Sequence, residues 1–222
     1  MDTLLIRLIA PMQSWGVQSN YTVRDTGLEP SKSGVIGLLC AALGRPREAD
    51  VADLTAVRMG VRIDREGTLR SDFHIVQDVL DSDGKNVRKS SIVTSRYYLA
   101  DAAFLVGLEG KHELLNELQA ALQQPKWAIY LGRKAFTPSQ PVWLGDGLQV
   151  DTSLEQALRA YGWIVRWRKG STPQQVRFVM EAADGAQVRP DVPISFAERR
   201  FSSRRVHVGV WEAPGVVSAE VL

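Results

Sequence analysis

The sequence predicts an α+β fold, on three observations. Short β-prone runs alternate with amphipathic helical runs through the first 140 residues. Two β-prone segments, 73–80 and 92–99, bracket a polar centre that carries the hairpin signal Asp83-Gly84. Beyond residue 140 the pattern changes to β-prone runs with one short helix.

The elements follow in order. Residues 3–9 are apolar except for Arg7 and read as a buried strand. A polar loop over 11–32 contains Gln13-Ser14-Trp15-Gly16. Val35, Leu38, Leu39 and Ala42 then fall at i, i+3, i+4 and i+7, which predicts a helix over 33–44. Ser31 or Ser33 caps its start, and Gly44 with Pro46 ends it. Gly34 and Gly37 each cost this helix about 1 kcal/mol relative to Ala. A close approach to its first turn, by a strand or by a phosphate backbone, accounts for them. Residues 56–63 read as a second strand, 73–96 as a long projecting hairpin and 102–108 as a further strand. Leu114, Leu115, Leu118, Ala121 and Leu122 line one side of a helix over 113–123 that stops at Pro125. Strand, helix, strand, hairpin, strand, helix is the alternation of a ferredoxin-like or RNA-recognition-motif-like domain. A boundary is expected near 138–147. Thr152-Ser153-Leu154-Glu155 reads as a capping box that opens a short helix to Tyr161. Runs 163–167, 175–180 and 206–211 are β-prone. The expected organisation is one domain over 1–140 and a small, mainly β domain over 141–222.

Composition bounds the function. Among 222 residues, 45% are hydrophobic and 23% charged, a globular balance. The apolar stretches are too short to span a membrane, and the N-terminus has no signal-peptide pattern. The lone Cys40 has no disulfide partner in the chain, which fits a reducing, cytoplasmic setting. Net charge is only +2, but it is unevenly spread. Residues 1–158 hold 17 Lys/Arg against 19 Asp/Glu, whereas 159–205 hold 10 against 4. A basic segment on a near-neutral body points to an anionic partner.

Catalytic motifs are sparse. His74, His112 and His207 are spaced unlike zinc ligands, and neither a hydrolase serine elbow nor a nucleotide-binding glycine loop is present. No catalytic residue, metal ligand, cofactor or small-molecule substrate is assigned. Lys32-Ser33-Gly34 opens a helix and resembles an anion site. Lys111-His112 offers a cation and a base of the kind a metal-free ribonuclease uses, or else a solvated helix start. Arg88-Lys89, Arg133-Lys134, Arg166-x-Arg168-Lys169 and Arg199-Arg200-Phe201-Ser202-Ser203-Arg204-Arg205 are the basic clusters. The last mixes arginine forks for phosphates with a ring on which a base can stack.

Several blocks together resemble a known family. They are Ala10-Pro11-Met12-Gln13-Ser14-Trp15-Gly16, then Arg24 and Thr26, and then Pro30-Ser31-Lys32-Ser33-Gly34-Val35-Ile36-Gly37-Leu38-Leu39. Tyr97-Tyr98-Leu99-Ala100-Asp101-Ala102-Ala103-Phe104 and Tyr130-Leu131-Gly132-Arg133-Lys134 follow. This resembles the CasD family of CRISPR-associated proteins, in its type I-E (Cascade) branch, over residues 3 to about 145. The resemblance implies a modified ferredoxin-like palm, a β-hairpin thumb and a small C-terminal β domain. It further implies a non-catalytic subunit that holds the 5′ handle of crRNA beside a backbone subunit and the large subunit. Carried over, Gln13, Trp15, Arg24, Lys32, Ser33 and Gly34 shape the handle pocket. Arg88 and Lys89 lie on the thumb, and Tyr130, Arg133 and Lys134 in the palm. Arg204 and Arg205 are added on charge alone. In the sister type I-C branch this subunit cleaves repeat RNA with Tyr, Lys and His. Here Gly44-Arg45-Pro46-Arg47 stands where that tyrosine is expected, and no Tyr occurs between Tyr21 and Tyr97. An endoribonuclease using Lys111 and His112 is the alternative.

Overall fold

The computed structural model describes residues 1–17, 22–80, 84–85, 87 and 91–214. The chain runs through β1 (Asp2–Ile9), β2 (Met12–Gln13), β3 (Val23–Arg24), α1 (Lys32–Leu43), α2 (Ala52–Thr55), β4 (Arg58–Arg65), β5 (Thr68–Val76) and β6 (Ile92–Ala100). It continues through β7 (Ala103–Gly110), α3 (His112–Gln123), β8 (Trp143–Gln149), α4 (Leu154–Ala160), β9 (Gln175–Glu181), β10 (Gln187–Ser195) and β11 (Arg200–Glu212). Seven strands form one sheet in the order β10-β11-β9-β4-β7-β1-β8, and every neighbouring pair in it is antiparallel. The α+β class therefore holds.

Both faces of the sheet are covered, so its central strands are apolar on both sides. Leu4, Ile6 and Leu8 of β1 and Phe104, Val106 and Leu108 of β7 face the core shared with α1 and α3. Leu5 and Leu105, one residue out of phase, join the second core under α4 with Leu154, Ala157 and Leu158. α4 lies close because Gly60 and Gly107 stand opposite each other in the β4–β7 ladder. A Cβ on Gly107 would sit 2.6 Å from Leu154 Cδ1, and one on Gly60 2.7 Å from Leu158 Cδ1. Gly107→Val is expected to destabilise the protein by about 1–3 kcal/mol through overpacking. A denaturant midpoint equal to wild type would show that α4 has room to shift.

Two residues along β4, Arg62 lies fully buried on the face that α4 covers. It pairs with the equally buried Asp64 at 2.7 and 2.9 Å. The rest of its guanidinium donates to the carbonyls of Leu158 at 2.6 Å, Tyr161 at 2.5 Å and Gly162 at 2.8 Å. Asp64 Oδ2 also accepts the Ile164 amide at 2.9 Å. A buried ion pair thus closes the C-terminal end of α4 and anchors the chain that leaves it.

The capping box is real but shifted by one residue. Ser153 caps the Gln156 amide, and the Gln156 side chain returns to the Ser153 amide. Ser153→Ala should lower stability by about 1 kcal/mol, read as a shift of the thermal midpoint; no shift would mean that solvent replaces the cap.

The hairpin begins earlier than expected. β5 pairs with β6 from Thr68↔Ala100 to Val76↔Ile92, and an isolated bridge joins Leu80 to Val87. Residues 68–72 are exposed and, apart from Leu69, polar, so main-chain pairing rather than burial makes them strand. β2 and β3 pair on the other side of β6. Asp83, Arg88 and Lys89 lie outside the described residues.

The boundary expected near residue 140 is not a break in the sheet. β8 pairs with β1, and β9 pairs with β4, so strands from 141–222 extend the same sheet at both edges. The expected strand over 163–167 is irregular, and Trp163 and Trp167 meet edge-on at 5.7 Å. β10, the edge strand on one side, carries Pro190 and Pro193, which blunt it against pairing with another chain. Among the described residues no helix is long and apolar enough to cross a membrane.

Candidate nucleic-acid interface

α1 starts at Lys32 because the extended Ser31 puts its hydroxyl 3.2 Å from the Gly34 amide. Gly34 is required there by a neighbour. A Cβ on it would meet the Trp15 indole at 2.8 Å. The indole nitrogen donates to Gln13 Oε1 at 3.2 Å, and the Gln13 amide donates to Leu8 O at 3.1 Å and Ala102 O at 2.8 Å. Gln13 and Trp15 are both buried. They form an internal brace that fixes the 14–16 segment against the first turn of α1. Thr26 joins the brace by accepting the Trp15 amide at 2.9 Å.

Gly132 completes the wall. It has φ +93, and a Cβ there would fall 1.7 Å from Ser14 O, closer than any side chain allows. This contact, with the Ser14 amide on Leu131 O at 3.1 Å, brings Arg133 beside Arg24. Arg133 Nη2 donates to Tyr97 O at 2.8 Å, and its guanidinium lies 5.4 Å from the centre of the Phe136 ring. Burial, then the nearby Arg96 and Arg24 charges, pull its pKa below the usual arginine value. Asp72 and Asp25 oppose the shift, so carboxylates of the protein already offset part of this crowding.

These pieces enclose a hollow of 400 Å³. Ser33 and Gly34 of α1 line it together with Arg24, Arg47, Arg133, Phe196 and Phe201. Asp25 is the carboxylate among the lining residues. A second hollow of 340 Å³ continues along α1 past Gly37 to Trp127 and Tyr130, and shares Ser33, Gly34, Arg47, Gly132 and Phe196 with the first. The two make a groove with arginines and exposed rings, the chemistry that holds a single-stranded polynucleotide.

Residues 3–209 match the model of a family described as CRISPR-associated protein (Cas_Cas5). The chain belongs to the Cas5 family. It is similar to the CRISPR system Cascade subunit CasD of Escherichia coli (strain K12), at 30% identity over 92% of this chain and 94% of that protein. A crystal structure of a Cas protein is 44% identical, with a TM-score of 0.78 over 96% of this chain and 97% of the other. A structure of a CRISPR RNA-guided surveillance complex contains a chain that is 34% identical, with a TM-score of 0.81 over 96% of this chain and 91% of that one.

In this Cas5-family chain the residues read from the sequence divide into groups. Trp15, Arg24, Ser33, Gly34 and Arg133 line the first hollow, and Tyr130 lines the second. Lys134 is exposed beside Arg133. Lys32 and Arg204 point inward. Lys32 Nζ pairs with Glu181 at 2.9 Å, and Arg204 grips Asp191 at 2.7 and 3.0 Å. Burial is the main cause that lowers the Lys32 pKa, and Glu181 opposes it. Asp191 also accepts the Lys32 amide at 2.7 Å. The anion expected at the start of α1 is therefore the protein's own Asp191. Arg205 is exposed and donates to Gly185 O at 3.1 Å.

The nuclease pair sits elsewhere. His112 Nδ1 lies 2.6 Å from Asp2 Oδ2 at the start of β1. The Asp151 amide first, and His112 second, hold the Asp2 carboxyl below its usual range. The groove opens beyond the other end of this eight-residue strand, roughly 25 Å away at the usual rise. Arg47, Trp127 and Phe196 were not singled out from the sequence, where a lone arginine after a helix and scattered aromatics carry no signal of shared position.

Proposed function

We infer that this chain is a subunit of a Cascade-type CRISPR surveillance complex that holds the 5′ handle of crRNA in the groove along α1. The observation that carries the reading is the convergence of Arg24, Arg47 and Arg133 on the glycine-floored start of that helix. Arginines neutralise the phosphates, and the unpaired bases face the rings. Family membership and similarity to a Cascade subunit give that convergence its RNA. In this reading β1, α1, β4, β7 and α3 are a ferredoxin-like palm within 1–140, β5–β6 is its thumb, and 141–222, with β8, α4 and β9–β11, is the small C-terminal β unit. Tyr130, Lys134 and the thumb residues Arg88 and Lys89 extend the contact to RNA. Backbone and large subunits are the protein partners, and the site is cytoplasmic.

The protein acts here as a scaffold. His112 lies at the start of β1, beside Asp2 and away from the groove, which disfavours Lys111 and His112 acting on RNA held there. Purified protein should bind labelled handle RNA at least about tenfold tighter than scrambled RNA, with an affinity that falls steeply with salt. It should leave repeat RNA intact in EDTA. Equal affinity for the two RNAs would remove the handle from the reading. A discrete cut abolished by His112→Ala would make the protein a processing enzyme.

A further inference from the structure

We propose that Phe201, buttressed by Phe196, is a stacking platform for one unpaired base of the bound RNA, an assignment that rests on the groove being an RNA site. Phe201 is a large apolar side chain left 44% exposed, and it lines the same hollow as Arg24, Arg47 and Arg133. An exposed ring and guanidinium groups lining one hollow suit a nucleotide, with its phosphate on the arginines and its base on the ring.

The ring is also held in place. Phe201 pairs in register with Pro193, so its backbone belongs to the β10–β11 ladder. Phe196 meets it edge-on, with centroids 6.5 Å apart at 76°. Phe196 itself packs on the main core, and its Cζ fills the space 3.8 Å beyond where a Gly37 Cβ would stand. Phe196 therefore supports the Phe201 ring from the protein side, while Phe201 remains part of the hollow's lining. A T-shaped contact of this kind favours one ring orientation. The neighbouring Arg200 is turned to Glu198 at 2.5 Å, and Arg204 to Asp191. In the 199–205 cluster the groove-facing group is the ring.

The test is an abasic scan. Handle RNAs with the base removed at one position at a time are titrated against wild type and Phe201→Leu by fluorescence anisotropy. Phe201→Leu should weaken intact handle RNA by about tenfold, as expected for one stacked base, with the salt slope unchanged because no charge is lost. One abasic position should weaken wild type equally and cost Phe201→Leu nothing further. Unchanged affinity in Phe201→Leu, or losses that add to it at every position, would overturn the platform. Should Phe201→Leu fold poorly, 2-aminopurine placed along the handle gives the same answer in wild type: quenching at one position supports stacking, and none at any position refutes it. If wild type fails to prefer handle RNA over scrambled RNA, the RNA reading itself fails, a result distinct from either of these.

Discussion

Arg62→Ala should lower the unfolding free energy by about 3–5 kcal/mol, the range for removing one partner of a buried ion pair. The loss has two parts. Asp64 remains buried with its charge unmatched, keeping the Ile164 amide as its bond. The carbonyls of Leu158, Tyr161 and Gly162 lose their donor, and that of Leu158 does so in a buried setting. Replacing both partners, Arg62→Met with Asp64→Leu, should recover part of the deficit but not all of it, because the buried Leu158 carbonyl stays without its donor. Chemical denaturation of the three proteins checks this. A loss under about 1 kcal/mol in Arg62→Ala would mean that the end of α4 finds other partners. RNA affinity measured well below the unfolding transition should be unaffected, since Arg62 is absent from the groove lining.

The complementary result is expected from Arg24→Ala, Arg47→Ala and Arg133→Ala combined. Affinity for handle RNA should fall by about a hundredfold at moderate salt, from about 1 kcal/mol for each charge-assisted contact. The dependence of log K on log salt should flatten by roughly 2 units, three lost phosphates at about 0.7 each for a single strand. Arg133 also holds Tyr97 O, so its change costs some stability, and Arg133→Lys serves as the control that keeps the charge. An unaltered slope would place the phosphates elsewhere on the protein. A slope reduced equally for scrambled RNA would assign these arginines to backbone binding, with the preference for handle sequence carried by the bases and rings.

What could be read in advance follows from which signals are local. α1 was legible because the Val35, Leu38, Leu39 and Ala42 stripe, Ser31 and Gly44 all agree, and the structure uses each of them. α3 was legible from its stripe alone, since Leu115, Leu118 and Leu122 are buried and no side chain caps its start. The start of β5 was not, since Thr68 to Asp72 lack an apolar alternation and are strand only through pairing with β6. The capping box slipped because Thr152…Glu155 and Ser153…Gln156 fit the same pattern.

At the site, residue types were legible and orientation was not. Lys32 and Trp15 looked like ligand groups, and both turned out to brace the groove from inside. The excess of basic residues in 159–205 suggested an external anion. Much of it meets carboxylates within the protein, with Arg177 on Glu29 and Glu66, Arg189 on Glu29, and Arg204 on Asp191. Charge that is uneven along a chain need not be uneven in space, and that distinction appears only once the strands are assembled.

The strand order also sets a timetable for synthesis. β4 waits for β9, whose Gly60↔Met180 pairing spans more than half the chain, and β1 waits for β8. A ribosome adding roughly 5–20 residues per second leaves both strands as open edges for several seconds after they emerge. During that interval the nascent chain presents strands such as the apolar Leu4-Leu5-Ile6 to anything able to add a strand. Chains stopped at residue 140 lack both β8 and β9 and should give a lower soluble yield than the full chain.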